Sequence, residues 1–195
     1  MFLLRRPSRE IIDRFIRGAQ TSPLSYAPVG IVETAPARYN LDEVVVAIGH
    51  GRMDFERARA ALNAWTQFNI GWVEVFPRQA PLEAGTVVAV LIRHLGFWSL
   101  NGCRLVHASG GCGPDDRTGF VYGTLTNHAQ AGEELFEVSM NPRTGEVMYR
   151  IRAVSRPRVA LTRLGYPIVR LLQARFRRDS AAAMARATSG HAARP

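Results

Sequence analysis

Six segments of strand character follow one another between Gly71 and Ser155, and only turns separate them. They run Gly71 to Phe76, Thr86 to Leu95, Trp98 to His107, Gly119 to Leu125, Glu133 to Met140 and Glu146 to Ser155. The breaks between them are Arg78 to Gly85, Leu95-Gly96, Gly110 to Asp116, Thr126 to Gly132 and Asn141-Pro142-Arg143-Thr144-Gly145. Neighbouring strands joined this closely pair antiparallel, because a parallel crossover needs a dozen or more residues. The middle of the chain is therefore committed to one large antiparallel sheet.

Helical patterns flank that run. Ser8 to Gly18 carries Ile11, Ile12, Phe15 and Ile16 on one face, with Glu10 and Asp13 near its start, which predicts a short amphipathic helix. Thr21 to Asn40, with Pro23, Pro28, Gly30 and Pro36, reads as an ordered arm. Glu43 to Gly49 is a β-branched strand ending at Gly49-His50-Gly51, where His50 serves the turn. Asp54 then opens a helix whose stripe of Phe55, Ala58, Leu62 and Trp65 runs to about Phe68. At the other end Leu161, Leu164, Ile168, Leu171, Leu172 and Phe176 form the apolar face of a long helix. Pro167 places its main part from Tyr166 to Ala187. The expected architecture is α+β: a curved antiparallel sheet of about seven strands wraps the C-terminal helix, with a helix after the first strand and a short helix at the N-terminus. Residues 1–40 form the helix and arm, 41–187 the domain and 188–195 a frayed tail.

A length of 195 residues suits one such domain without disulfides or metal. Cys103 and Cys112 are too few for a disulfide framework and lack the partners of a zinc site. The longest aliphatic run, Val87 to Ile92, falls far short of the roughly 20 residues of a membrane span. Met1 to Arg6 places its charges after a very short apolar patch, the reverse of a secretory signal, so the expected location is cytoplasmic. The net charge is +9, and all 25 basic residues are arginine. That uniformity suggests a codon bias and weakens the meaning of any single arginine. Arg156 to Arg178 nevertheless holds seven arginines and no acid, a stretch able to meet an acidic partner.

Several strings resemble one family: Ser25-Tyr26-Ala27-Pro28-Val29-Gly30, then Arg93-His94-Leu95-Gly96-Phe97-Trp98-Ser99-Leu100-Asn101, then Tyr122-Gly123-Thr124-Leu125 with His128 and Gly132-Glu133-Glu134, and last Ser155-Arg156-Pro157 with Leu164-Gly165-Tyr166-Pro167. They occur in this order in the bacterial and plant domain of unknown function "nineteen-ninety", which is grouped with the START-like, birch pollen allergen-like superfamily. The chain departs from that pattern at Thr126, where proline is expected. The resemblance spans about Leu24 to Ala187 and implies the helix-grip fold, with an apolar cavity between sheet and helix in many members. It implies no assigned reaction.

Strand alternation predicts the inner faces. Phe120, Tyr122 and Thr124 share one; Glu134, Phe136, Val138 and Met140 another; Val147, Tyr149, Ile151 and Ala153 a third. Their neighbours Glu133, Glu137, Glu146, Arg150 and Arg152 are expected toward solvent. The predicted ligand-binding residues are Tyr122, Thr124, Glu134, Phe136, Tyr149, Ile151 and Leu172, around a small apolar or amphipathic molecule. Against this stands a cavity filled by Phe120, Phe136 and Tyr149 themselves. Glu134 and His128 are the candidates for acid/base catalysis, with Tyr122 or Tyr149 donating to an oxyanion, since desolvation raises a carboxyl pKa; whether the chain is an enzyme stays open. A structural role for these polar residues is the stronger reading. His94, beside Arg93, reads as a surface or hydrogen-bonded residue.

No metal-ligand pattern or phosphate-cradling loop is present, and Gly110-Gly111-Cys112-Gly113 reads as a hairpin turn. No cofactor is expected. A second alternative is a basic interaction module, in which Arg163, Arg170 and Arg177 lie on a helix side opposite Leu164, Leu171 and Leu172 and meet nucleic acid or anionic lipid. A solvated basic face is favoured over it. The oligomeric state is left open.

Overall fold

The structure is a computed structural model and describes residues 1–94, 96–109, 116–158 and 166–190. The strands are β1 (Phe2–Leu3), β2 (Asn40–His50), β3 (Val73–Phe76), β4 (Val87–Arg93), β5 (Trp98–Ser109), β6 (Arg117–Thr124), β7 (Gln130–Met140) and β8 (Glu146–Pro157). The helices are α1 (Arg9–Ala19), α2 (Ile31–Thr34), α3 (Gly51–Asn63) and α4 (Tyr166–Thr188). The strands form one antiparallel sheet in the order β2-β8-β7-β6-β5-β4-β3, and β1 pairs with β5. This is the helix-grip plan, with α4 held in the curve of the sheet. The expected hairpin at Gly110 to Gly113, Cys112, and the stretch from Leu161 to Gly165 lie outside the described residues.

Local chemistry accounts for most element boundaries. Ser8 accepts from Ile11 N at the start of α1, as an N-cap should. Asp54 takes the backbone N–H of His50 at 3.0 Å, and His50 joins Thr144 O through Nε2 at 2.8 Å. α3 ends at Asn63 rather than Phe68: Trp65 turns into the left-handed region and starts a short 3₁₀ turn. That turn brings Trp65 Nε1 within 2.8 Å of Ala80 O. β1 had no readable signal, since two residues cannot show an alternation; it is held by pairing to Ser99 and Trp98.

The core lies between α3, α4 and the inner sheet face, and Trp65, Phe68, Phe120, Phe136 and Tyr149 are buried in it. In α4 the buried residues are Ser180, Ala181, Ala183, Met184 and Thr188, in the C-terminal half. Leu172 and Phe176 pack against the core from the N-terminal half. Leu171 corrects the expected face, for it is 70% exposed, and Ile168 beside it is also exposed. The contact stripe runs through 172, 176, 180, 184 and 188, and residue 171 sits a step of about 100° off that line.

The outer face of the sheet brings a second correction. Glu133 and Glu137 are buried rather than solvent-facing: chain folds back over Glu133, and the Arg117 and Arg150 side chains flank Glu137. Tyr26, Ile31, Tyr39, Ala131 and Val154 make a cluster of their own there. Ser25 joins Thr124 through backbone and hydroxyl contacts, Oγ to Oγ1 at 2.7 Å. Gly123 leaves room for this docking: a Cβ there would stand 2.2 Å from the Tyr26 hydroxyl.

Candidate functional site

A cavity of about 570 Å³ opens between the N-terminal half of α4 and the sheet. Its existence follows from side-chain size along the inner faces. Phe120, Phe136 and Ile151 stand opposite one another across β6, β7 and β8 and fill one end of the grip. Moving along these strands, the inward positions include Gly132, Ala153 and Ser155, whose small side chains leave space beneath the helix. Phe68, Trp72, Val90, Ile92, Leu172 and Phe176 supply the apolar wall. One end is filled by its own aromatics, as the alternative held, and the other is open.

Of the expected ligand-binding residues, Tyr122, Thr124, Glu134 and Leu172 line this cavity, as does His128. Phe136, Tyr149 and Ile151 share the inner face but belong to the filled end and are fully buried. The Tyr149 hydroxyl is 3.0 Å from Ser180 Oγ, a contact that fixes α4 on β8. The Thr124 hydroxyl is committed to Ser25 and to the Gly132 N–H at 2.9 Å, so its role is structural.

Glu134 and Tyr122 form the most distinctive contact in the cavity. Tyr122 donates its hydroxyl hydrogen to Glu134 Oε2 at 2.5 Å, the length of a charge-assisted O–H bond. Burial pushes the Glu134 carboxyl up to about 7, while Tyr122 and the Arg177 guanidinium pull it back down and Asp42 adds to the rise. Glu134 still keeps accessible surface, because that surface faces the cavity. Burial also drives the Tyr122 hydroxyl well above its ordinary range. His128 Nδ1 accepts the Gln130 N–H at 2.9 Å, and burial lowers the imidazole to about 4. The ring is therefore neutral near pH 7.

Sequence reasoning missed further polar residues of the cavity. Ser99 and Asn101 project inward from β5, and His94 reaches Ser99 Oγ through Nε2 at 2.7 Å while stacking on Phe97. Their signal was present: Ser99, Asn101 and Cys103 alternate along one strand face, with polar residues where an apolar core needs none. Arg177 was missed because it was expected at the surface. It lines the cavity and pairs with Asp42 at 3.2 Å, and Asp42 also binds Arg170 in bidentate fashion. The expected solvent stripe of Arg170 and Arg177 is thus an ion-paired clamp of α4 on β2, since a buried carboxylate needs cationic partners. Arg163, the third residue of that stripe, is outside the described residues. No group of three or more His, Cys, Asp or Glu able to hold a metal occurs among the described residues. No described helix is long and apolar enough to cross a membrane.

A curved antiparallel sheet gripping a long helix defines the helix-grip fold. The family model for a domain of unknown function (DUF1990) matches residues 25–183, and the chain belongs to that family. It is 30% identical to a UPF0548 protein of Dictyostelium discoideum over 210 residues, covering 98% of this chain and 97% of the relative. A UPF0548 protein of Arabidopsis thaliana is 34% identical over 143 residues, with 71% and 68% covered. Among solved structures, a hypothetical protein of Helicobacter pylori has a similar fold, with a TM-score of 0.51 at 10% identity over 85% of this chain and 96% of that one.

Proposed function

We propose that this protein binds a small, largely apolar molecule between the sheet and the N-terminal half of α4, with a polar end at Tyr122 and Glu134. The observation that carries the reading is the cavity of about 570 Å³, whose largely apolar wall is interrupted by polar side chains such as Tyr122 and Glu134. That volume and lining are those of small-molecule sites, which range over roughly 300 to 1,000 Å³. Leu172 and Phe176 supply the helix side of the wall. Native mass spectrometry of protein purified from its host tests the reading, together with titration of the uncharged fluorophore 1-aminoanthracene. We expect a co-purified mass, or fluorophore binding that Leu172→Trp abolishes by filling the space. Absence of both in the wild type would overturn it.

A second reading, acid/base catalysis on the bound molecule, is favoured by one observation. Glu134, pushed to about 7, is close to half-protonated near neutrality, as a proton-transfer group should be. Its contact with Tyr122 places a hydroxyl donor beside it. Glu134→Gln separates the two readings: a catalyst loses turnover while ligand affinity stays within a few-fold, whereas a binding residue loses affinity.

A further inference from the structure

The cavity has two polar poles. Tyr122 and Glu134 form one. The other consists of His94, Ser99 and Asn101, at the β4 and β5 wall. Tyr122 stands opposite Leu105 in the β5–β6 register, and Asn101 and Ser99 lie four and six residues further along β5. At about 3.3 Å per residue the poles are separated by roughly 13 to 20 Å of strand. Val90, Ile92, Phe68 and Trp72 make apolar wall in the same cavity.

The hydrogen inventory of the second pole is incomplete within the protein. Asn101 is 3% exposed, and its Nδ2 donates to Ser99 Oγ at 2.9 Å and to Val90 O at 3.4 Å. The Val90 carbonyl can only accept, which fixes the amide orientation. Asn101 Oδ1 is then left without a hydrogen-bond partner among the described residues. Ser99 Oγ and His94 Nε2 share one hydrogen. When serine donates it, His94 carries its own hydrogen on Nδ1; when histidine donates it, the serine hydrogen is uncommitted. Either arrangement leaves one donor beside one unpaired acceptor. Asn101 lines the cavity, so a ligand group that both donates and accepts would pair with both.

Charge narrows the ligand class further. Arg177 is the one arginine among the described lining residues, and Asp42 engages it. Burial lowers the basicity of His94 and of His128. No lining arginine side chain among the described residues is therefore left without an acidic partner for a carboxylate or phosphate, and an unpaired buried anion is strongly disfavoured.

We infer that the ligand has an apolar body flanked by two uncharged hydrogen-bonding ends, one held at Tyr122 and Glu134 and the other at His94, Ser99 and Asn101. This deepens the binding reading above and rests on it. The test is displacement of 1-aminoanthracene by three probes: decanediol with a hydroxyl at each end, decanol with one, and decanoate with a charged end. The diol is expected to bind about tenfold tighter than decanol, as one further satisfied hydrogen-bonding site implies, and decanoate weakest. Asn101→Leu should bring the diol to the level of decanol. Ser99→Ala, a smaller change that keeps the fold, should weaken the diol several-fold, with far-UV circular dichroism confirming that both variants are folded. Equal binding of diol and decanol, decanoate as the tightest probe, or wild-type behaviour of both variants would each overturn the two-pole inference while leaving the cavity in place. Failure of the wild type to bind 1-aminoanthracene would instead remove the cavity reading, and this inference with it.

Discussion

Glu133 and Glu134 are neighbours on β7, and the pleat sends them to opposite faces of the sheet, where the same carboxylate meets opposite conditions. Glu133 is buried under the N-terminal arm and accepts from the Tyr26 hydroxyl at 2.7 Å and from the N–H groups of Gly30 and Val32 at 2.8 Å each. Glu134 faces the cavity and accepts one hydrogen bond, from Tyr122. Three donors make a buried carboxylate a structural anchor, because they replace the water it has lost. One donor leaves it under-solvated, and its affinity for a proton rises. The number of donors, not the depth of burial, distinguishes the two carboxylates.

The largest effect that sharpens this contrast is expected from Glu133→Ala. It strands a buried hydroxyl and two backbone N–H groups and should cost roughly 3 to 5 kcal/mol. The urea midpoint should fall, and residues 20–40 should become open to proteolysis. An unchanged midpoint would show that the arm docks through its apolar cluster alone.

Glu134→Gln should do the reverse. The carboxyl is raised from 4.5 to about 7 in the folded protein, so between those values the folded state holds a proton that the unfolded state has released. Stability from this group is present below about pH 4.5 and is lost as pH rises through 7. Relative to wild type, the glutamine variant should therefore gain stability across that window, by at most about 3 kcal/mol above pH 7. Parallel stability curves for the two proteins from pH 4 to 8 would break the comparison.

Tyr26→Phe removes one of three donors to a buried carboxylate and should cost about 1.5 kcal/mol. Tyr122→Phe removes the single donor to Glu134 and should have the smallest effect on stability, under about 1 kcal/mol, because Glu134 can take up a proton instead. Its signature lies in titration: with the hydrogen bond that lowered it gone, the Glu134 midpoint should climb above 7, as followed by the carboxyl carbon resonance. A midpoint that falls would show that Tyr122 does not stabilise the ionised form.

The strings that carry the family resemblance divide along the same line. Ser25, Tyr26, Gly30, Gly123 and Glu133 dock the arm. His94, Ser99, Asn101, Tyr122, His128 and Glu134 line the cavity. The alternation of β6, β7 and β8 identified Tyr122 and Glu134 as inward, and the same rule sent Glu133 outward correctly. It could not say that outward meant buried, since a loop of mixed prolines and small residues announces no partner. Arg170 and Arg177 were misplaced for a similar reason: the proline within the pattern and a nearly continuous run of apolar and basic residues blurred which side of α4 meets the sheet.

The periodicities of the chain determined the element order, the antiparallel sheet, the gripping helix and the identity of the inward side chains, because these depend on spacing within single segments. The family strings identified the chain's relatives. Only the tertiary structure decided where the grip is filled and where it is empty, since that depends on how Ile151, Ala153 and Ser155 of one strand align with Phe136, Glu134 and Gly132 of the next. It also decided that one glutamate is surrounded by donors and its neighbour is not. Register across strands and the docking of a distant arm are long-range events, and a pattern read along one segment carries no record of them.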